Sequence, residues 1–335
     1  MKKEEKSMKN IKLKLATILL LSSALMLSAC AGVEEDKEKG TASQNSGVET
    51  AVEVNPDESL SITHELGEVT LEKTPENIVV FDYGTLDMLQ ALNVPIAGLP
   101  KSNIPAFLEE FDTDEYVNVG SLKEPDFETI YEMKPDLIFI SGRAAAAYDE
   151  LSKIAPTLYL AIDSEDYMGS LEHNSKVIGQ IFGKDQEADA KMKSLMDKAK
   201  EIEEKATQGD EEALVILTND GSISAYGRNS RFGIIHNALG FKEVDEEIET
   251  STHGQNISYE YILDKNPKNL FVIDRAQVVG GEVTASKTLE NDLVKETMAY
   301  KEGNIFYLDP MIWYISSGGF RSTDMMLDEV LKSLD

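Results

Sequence analysis

The sequence predicts an α/β protein of two doubly wound lobes joined by a long α-helix. Three observations predict it. Between residues 78 and 161, short apolar runs alternate with helical patterns, the rhythm of a parallel sheet with helices on its faces. From 168 to 206 that rhythm stops, and 39 residues keep a helical period. After 212 the alternation restarts and one phrase returns. Tyr131-Glu-Met-Lys-Pro135-Asp-Leu-Ile-Phe-Ile-Ser-Gly-Arg143 is answered by Ile262-Leu-Asp-Lys-Asn-Pro267-Lys-Asn-Leu-Phe-Val-Ile-Asp-Arg275. Each reads as helix, proline stop, buried strand, arginine. This internal duplication places Arg143 and Arg275 at equivalent corners of the two lobes.

Residues 1–29 read as an address. Six lysines (Lys2, Lys3, Lys6, Lys9, Lys12 and Lys14) precede an apolar run over 15–27 and the tetrapeptide Leu27-Ser28-Ala29-Cys30. That is the anatomy of a secretory signal, too short for a comfortable membrane span. The tetrapeptide resembles a bacterial lipobox. The resemblance implies cleavage before Cys30 and acyl chains on it, which would hold the protein on the extracytoplasmic face of the cell membrane. Cys30 is the only cysteine, so the chain has no internal disulfide and must be stabilised by its core. Residues 30–59 have little apolar content and no period, and are expected to be a disordered tether. Losing six Lys and two Glu with the signal takes the formal charge from −29 to −33. So acidic a chain excludes nucleic acid as a partner and suits a monomeric exterior protein.

The first lobe is expected over 60–167. A hairpin over Gly67 (60–64 with 68–71) precedes a strand at 78–81, a helix at 85–92 and strands at 96–98 and 116–119. The turn Gly120-Ser-Leu-Lys123-Glu-Pro-Asp126 leads to a helix at 127–134 with Asp126 as N-cap. A strand at 136–140, a helix at 148–155 and a strand at 157–161 follow. The connecting helix is expected over 168–206, interrupted at Gly183-Lys184-Asp185; two helices joined by a turn there are the alternative. The stretch after the interruption alone would run about 30 Å, enough to span a domain and resist a wide hinge. The second lobe is expected over 207–335. It has a strand at 213–218 with a partner at 222–226, a helix at 232–239 ended by Gly240, a helix at 258–263 and a strand at 270–273. Short helical pieces at 287–297, a strand at 305–308 and a helix at 324–334 close the chain.

Arginine marks the candidate site. The chain has 32 Lys and Arg, but only five are Arg: Arg143, Arg228, Arg231, Arg275 and Arg321. Arg143 and Arg275 end apolar strands, and Arg228 and Arg231 follow a third. Ligands of open α/β sheets bind beyond the carboxyl ends of strands. Arginine grips oxyanions in a fork and stacks on aromatic faces. An anionic, aromatic-containing ligand is therefore expected, although a strand-end Arg is also an ordinary solvated loop residue. Tyr83 after the first strand, and Trp313 with Tyr314 after the last, are candidate stacking faces.

With these features the chain resembles the iron-siderophore substrate-binding lipoproteins of ABC importers, those with a rigid interdomain helix. Lipobox, tether, two lobes and connecting helix carry the resemblance across most of 60–335. The phrases Glu150-Leu-Ser-Lys-Ile-Ala-Pro156, Ala225-Tyr-Gly-Arg-Asn-Ser-Arg-Phe232, Ser251-Thr-His-Gly-Gln-Asn-Ile-Ser258 and Trp313-Tyr-Ile-Ser-Ser-Gly-Gly319 are most like the petrobactin-binding subgroup. The resemblance implies two Rossmann-like lobes of the class III periplasmic-binding-protein type, and no catalysis. It implies a ferric catecholate–citrate siderophore as ligand, with iron held by the siderophore and not by a metal site of the protein. It implies Lys123, Arg143, Arg231 and Arg275 as the cleft cations. An ABC permease is the implied partner, docked through acidic knobs for which Glu124 or Glu128 and Glu243 are candidates.

Other readings fit less well. A zinc or manganese carrier needs clustered His and carboxylates, whereas His64, His173, His236 and His253 include no close pair. A haem carrier wants an axial Tyr or His in an apolar slot, and a neutral hydroxamate complex would not need so many cations. For an exported enzyme there is no Gly-x-Ser-x-Gly elbow, no His-Glu-x-x-His, no phosphate loop and no paired Cys.

Overall fold

The computed structural model describes residues 50–251 and 253–334. The signal segment, Cys30 and residues 31–49 of the expected tether lie outside them.

The first lobe is a five-stranded parallel sheet in the order Val117–Asn118, Gly98–Leu99, Ile78–Val80, Leu137–Ile140, Thr157–Tyr159. The chain builds outward from Ile78–Val80, then returns to that strand's other side. Its switch point therefore falls between Ile78–Val80 and Leu137–Ile140, where such sheets open a crevice for ligands. Both strands are fully buried, as strands covered on both faces must be.

In the second lobe Asn269–Asp274 lies between Glu212–Asn219 and Ile305–Leu308, all parallel. Ser222–Tyr226 turns back on Glu212–Asn219, and Gln255–Asn256 pairs antiparallel on it, so this sheet is mixed. Asp220 and Gly221 make the reversal with φ of 51° and 88°, the two positive dihedrals of a type I′ hairpin turn. The repeated phrase repeats in three dimensions. Phe127–Met133 is capped by Asp126 and Tyr259–Lys265 by Ser258. They end on left-handed Lys134 (φ 50°) and Asn266 (φ 42°), each directly before proline. Each helix then feeds a central strand ending toward an arginine.

Three expectations need correction. Residues 50–59 are not tether: Ala51–Val54 pairs antiparallel with Leu60–His64, which pairs with Gly67–Leu71, although the strand alternates too weakly in sequence to be read. The stretch 168–206 is two helices, Tyr167–Phe182 and Asp185–Gln208, broken where Gly183 takes φ 63°. The second still runs about 36 Å at 1.5 Å per residue. Finally, the closing helix Phe320–Leu331 packs beyond the second lobe. It lies against Tyr83–Ala91 of the first lobe and against Asp185–Gln208.

That return ties the lobes together. Ser322 N and Arg321 N donate to the buried Asp87 carboxylate at 2.8 and 3.2 Å. Tyr167 Oη meets Thr323 Oγ1 at 2.8 Å and accepts from Gly318 N at 2.9 Å. Lys198 Nζ on the long helix reaches Asp324 at 2.7 Å and Asp328 at 2.5 Å. One apolar core runs from Ile78 and Phe139 of the first lobe, through Leu195 and Ile202, to Phe271 and Ile273 of the second. Opening the lobes widely would break this core. Free and ligand-loaded protein are therefore expected to give nearly superimposable X-ray scattering curves. A fall in radius of gyration of several per cent on loading would contradict the rigid connection.

Candidate functional site

The duplication delivers two arginines. Arg143 follows Leu137–Ile140 through the bend Ser141-Gly142, and Arg275 directly follows Asn269–Asp274. A third comes from the loop after Ser222–Tyr226. There Asn229 takes φ 62° and Ser230 Oγ donates back to Gly227 O, a tight reversal that turns Arg231 inward. Facing them is Met311–Ile315, a single π-helical turn closed by Ser316 N to Met311 O at 3.1 Å. Such turns recur at functional sites, because the widened turn re-aims side chains and frees carbonyls.

Tyr314 on that turn is the hub. The Arg231 guanidinium lies over its ring at 4.0 Å from the centroid, with Arg275 at 5.6 Å and Arg143 at 5.8 Å. Arg231 Nη2 donates to Tyr314 O at 2.5 Å. Arg143 donates from Nη2 to the same oxygen and from Nη1 to Ile315 O at 3.2 Å. Arg275 Nε donates to Tyr314 Oη at 2.9 Å, while its Nη1 donates to Asn219 Oδ1, also at 2.9 Å. Asn219 was not singled out in sequence; its position at the end of a central strand was the available signal.

The electrostatics are one-sided. Among the described residues none of these three arginines forms an ion pair; Arg228 is the arginine that does. The nearby Asp82 carboxylate is spent as the N-cap of Tyr83–Ala91, accepting Thr85 N at 2.8 Å, and burial pushes its pKa up. Burial and the Arg143 charge pull Arg231 below the ordinary arginine value. Burial alone would raise the Tyr314 phenol. The Arg275 hydrogen bond and the three guanidinium charges outweigh it and hold the phenol below the usual tyrosine value. By contrast burial pushes Tyr159, Tyr167 and Tyr226 up to about 12. An absorbance titration is expected to show one tyrosine ionising ahead of the rest, absent in Tyr314→Phe. Identical early titration in that variant would assign the phenol elsewhere.

The other sequence candidates are placed differently. Lys123 is exposed in its turn and makes no ion pair among the described residues. Arg228 is taken by Glu243, Nε to Oε2 at 3.1 Å, so it is not a free cleft cation. The same bond removes Glu243 as an exposed docking knob, since its side chain is only 9% exposed. Glu124 and Glu128 are exposed. Tyr83 and Trp313 offer no stacking face: each is 1% exposed. Tyr83 Oη donates to Pro100 O and Ser102 O at 3.0 and 2.7 Å, and Trp313 Nε1 donates to Glu329 Oε2 at 2.7 Å. Large amphipathic rings bury their bodies when a partner for the polar tip is at hand. Of the three aromatics, the one beside the cations is Tyr314.

Two α/β lobes, joined by long helices and one continuous core, bring three arginines from their strand ends together on Tyr314. The periplasmic binding protein model matches residues 78–311, and the chain belongs to that family, with its class III fold. The petrobactin-binding protein YclQ of Bacillus subtilis is 40% identical over 95% of this chain and 97% of its own. The ferric-anguibactin-binding protein FatB of Vibrio anguillarum is 36% identical over 81% of this chain and 86% of its own. The crystal structure of YclQ superposes with a TM-score of 0.81 at 42% identity, covering 83% of this chain and 99% of that one. The catecholate-siderophore binding protein VctP of Vibrio cholerae gives 0.78 at 39% identity, covering 82% and 100%.

Proposed function

We propose that this protein is an extracytoplasmic lipoprotein that captures a ferric siderophore and delivers it to an ABC importer for iron uptake. The observation that carries the reading is the convergence of Arg143, Arg231 and Arg275 on one aromatic ring, with no carboxylate among the described residues paired to them. Three such charges repel one another and store a positive potential. An iron(III) chelate with catecholate and citrate oxygens is a compact anion that relieves it. Each guanidinium has five N–H donors and commits at most two of them here, leaving others for ligand oxygens. A charge-assisted hydrogen bond contributes about 1.5–3 kcal/mol and a micromolar complex needs about 8 kcal/mol, so three such contacts supply a large part of it and ring stacking must add to them. The catechol rings find flat guanidinium faces and the Tyr314 ring. Among the described residues no group of three His, Cys, Asp or Glu is placed to hold a bare metal ion. On this reading the iron is cargo, chelated before it arrives. The catecholate-siderophore binding structure at 39% identity, against 26% for a relative named for an iron hydroxamate, supports a catecholate-type chelate.

A fluorescence titration against iron-loaded siderophores tests this. Anionic catecholate–citrate chelates are expected to quench saturably at sub-micromolar concentration, with the ligand recovered unchanged. Turnover of the ligand, or equal affinity for a neutral ferric hydroxamate, would sink the reading. The anchor is separately testable. Cys30→Ala is expected to give a chain without lipid, either uncleaved or shed from the membrane. Mass spectrometry finding the same unmodified N-terminus in wild type and variant would contradict it.

A further inference from the structure

The turn that carries Tyr314 is gripped twice. In the crevice Arg143 and Arg231 donate to its carbonyls, and Arg275 donates to the Tyr314 phenol. The second grip is Glu329, on the closing helix Phe320–Leu331. Its Oε2 accepts Trp313 Nε1 at 2.7 Å, and its Oε1 accepts Asp309 N at 3.2 Å. Asp309 in turn organises the entry to the turn. Its Oδ1 accepts Met311 N at 2.8 Å, and its carbonyl accepts Ile312 N and Trp313 N at 3.1 and 3.0 Å. One carboxylate thus holds the turn at its entry and at the residue before Tyr314. Among the described residues, only Glu329 and the three arginines hydrogen-bond this turn with side chains from outside it.

The two grips differ in what a ligand does to them. An anion in the crevice competes for the guanidinium N–H groups, and each one it takes leaves a carbonyl of Tyr314 or Ile315 without that donor. The Glu329 bonds involve none of these groups. Ile312 and Ile315 are buried as well, but apolar burial is non-directional and does not fix where a neighbouring side chain points, whereas a hydrogen bond does. Glu329 is itself held in place. Asp87 accepts the first N–H groups of its helix, and Lys198 of Asp185–Gln208 pairs with Asp324 and with Asp328, the residue beside Glu329. Those contacts fix both the position and the rotation of the closing helix.

We propose that Glu329 is a positioning residue for the arginine crevice: through Trp313 and Asp309 it holds the aim of Tyr314, and with it the arrangement of Arg143, Arg231 and Arg275 around that ring. The chain enters the turn from Ile305–Leu308 of the second lobe, yet the turn takes its register from a helix docked on Tyr83–Ala91 of the first. Glu329 touches no ligand in this role and acts only through the turn. The effect on binding rests on the siderophore reading above; the effect on Tyr314 does not.

The test labels the intact protein with fluorotyrosine and follows the Tyr314 fluorine NMR signal, assigned by its loss in Tyr314→Phe. Glu329→Met keeps the length of the side chain and removes the acceptor. It is expected to shift or broaden the Tyr314 signal in ligand-free protein. It is also expected to weaken binding of an iron-loaded catecholate–citrate siderophore by about tenfold, the size of one charge-assisted hydrogen bond, under conditions where urea curves show the variant fully folded. Glu329→Gln keeps an oxygen for Trp313 Nε1 and should restore the signal and most of the affinity. Trp313→Phe removes the donor instead, and the double variant with Glu329→Met should bind no more weakly than either single one, because both break one contact. If Glu329→Met fails to fold, Trp313→Phe decides by the same two readouts. An unmoved Tyr314 signal, wild-type affinity in the folded Met variant, or a Gln variant as weak as Met would overturn the proposal and leave Glu329 a part of the fold alone. The signal is read without ligand. Wild type that binds no ferric chelate therefore speaks against the siderophore reading, and the Tyr314 signal still decides on Glu329.

Discussion

Alanine in place of Arg143, Arg231 or Arg275 is expected to weaken ferric catecholate–citrate binding by about tenfold or more at each position. Roughly 1.4 kcal/mol is a factor of ten, and a charge-assisted hydrogen bond contributes at least that much. The effect of Arg231 is expected to be the largest, because it lies nearest the Tyr314 ring, where burial pulls its pKa down. Lysine should restore only part of the loss, since it keeps charge but not the fork or the planar face. Lys123→Ala should cost less, because its ammonium stands exposed in the turn. Arg321, whose Nη1 donates to Phe107 O at 3.0 Å and whose guanidinium lies over the Phe107 ring, is expected to be nearly silent. Unliganded variants must melt close to wild type. If all three bind as wild type while Arg321→Ala does not, the cleft is in the wrong place.

The second large effect concerns stability. Asp87→Ala is expected to destabilise the fold by about 1–3 kcal/mol, read as a lower urea midpoint at unchanged slope. The carboxylate holds two first-turn N–H groups of Phe320–Leu331 in a buried place where water does not replace it. Burial raises the Asp87 pKa despite these bonds. A folded-state pKa above the unfolded value makes this contribution complete at acid pH. It is lost as pH rises from the ordinary aspartate value through the raised one. Asp87→Asn should flatten that slope. A midpoint for Asp87→Ala equal to wild type would show that the closing helix does not depend on this contact.

The parts of the fold that were legible in sequence are those whose signal is local. Leu137–Ile140 and the residues 270–273 are unbroken apolar runs shortly behind proline, and a buried strand suits them. The pairing of 213–218 with 222–226 was legible too. What stayed hidden was set by distant partners. Ala51–Val54 is a strand only because Leu60–His64 lies beside it, and three of its four residues are exposed. The closing helix was readable as a helix, but its docking on Tyr83–Ala91 depends on Asp87, 234 residues from Arg321. The same division runs through the site. Rarity and strand-end position picked out Arg143, Arg231 and Arg275. They equally picked out Arg228, because no pattern revealed that Glu243 would claim it. Trp313 and Tyr314 are adjacent aromatics, and the π-helical turn buries one and leaves the other among the arginines. That difference is fixed by Glu329, sixteen positions further along the chain.

The central claim is that these three guanidiniums hold the ferric anion. Crystals grown with an iron-loaded catecholate–citrate siderophore, measured at the iron absorption edge, test it most directly. The account predicts one strong anomalous peak between Arg143, Arg231 and Arg275, beside Tyr314, with chelate oxygens in hydrogen-bond reach of the guanidinium nitrogens. A saturated complex whose iron peak lies elsewhere, with the arginines still bonded only to Tyr314, Ile315 and Asn219, would contradict it.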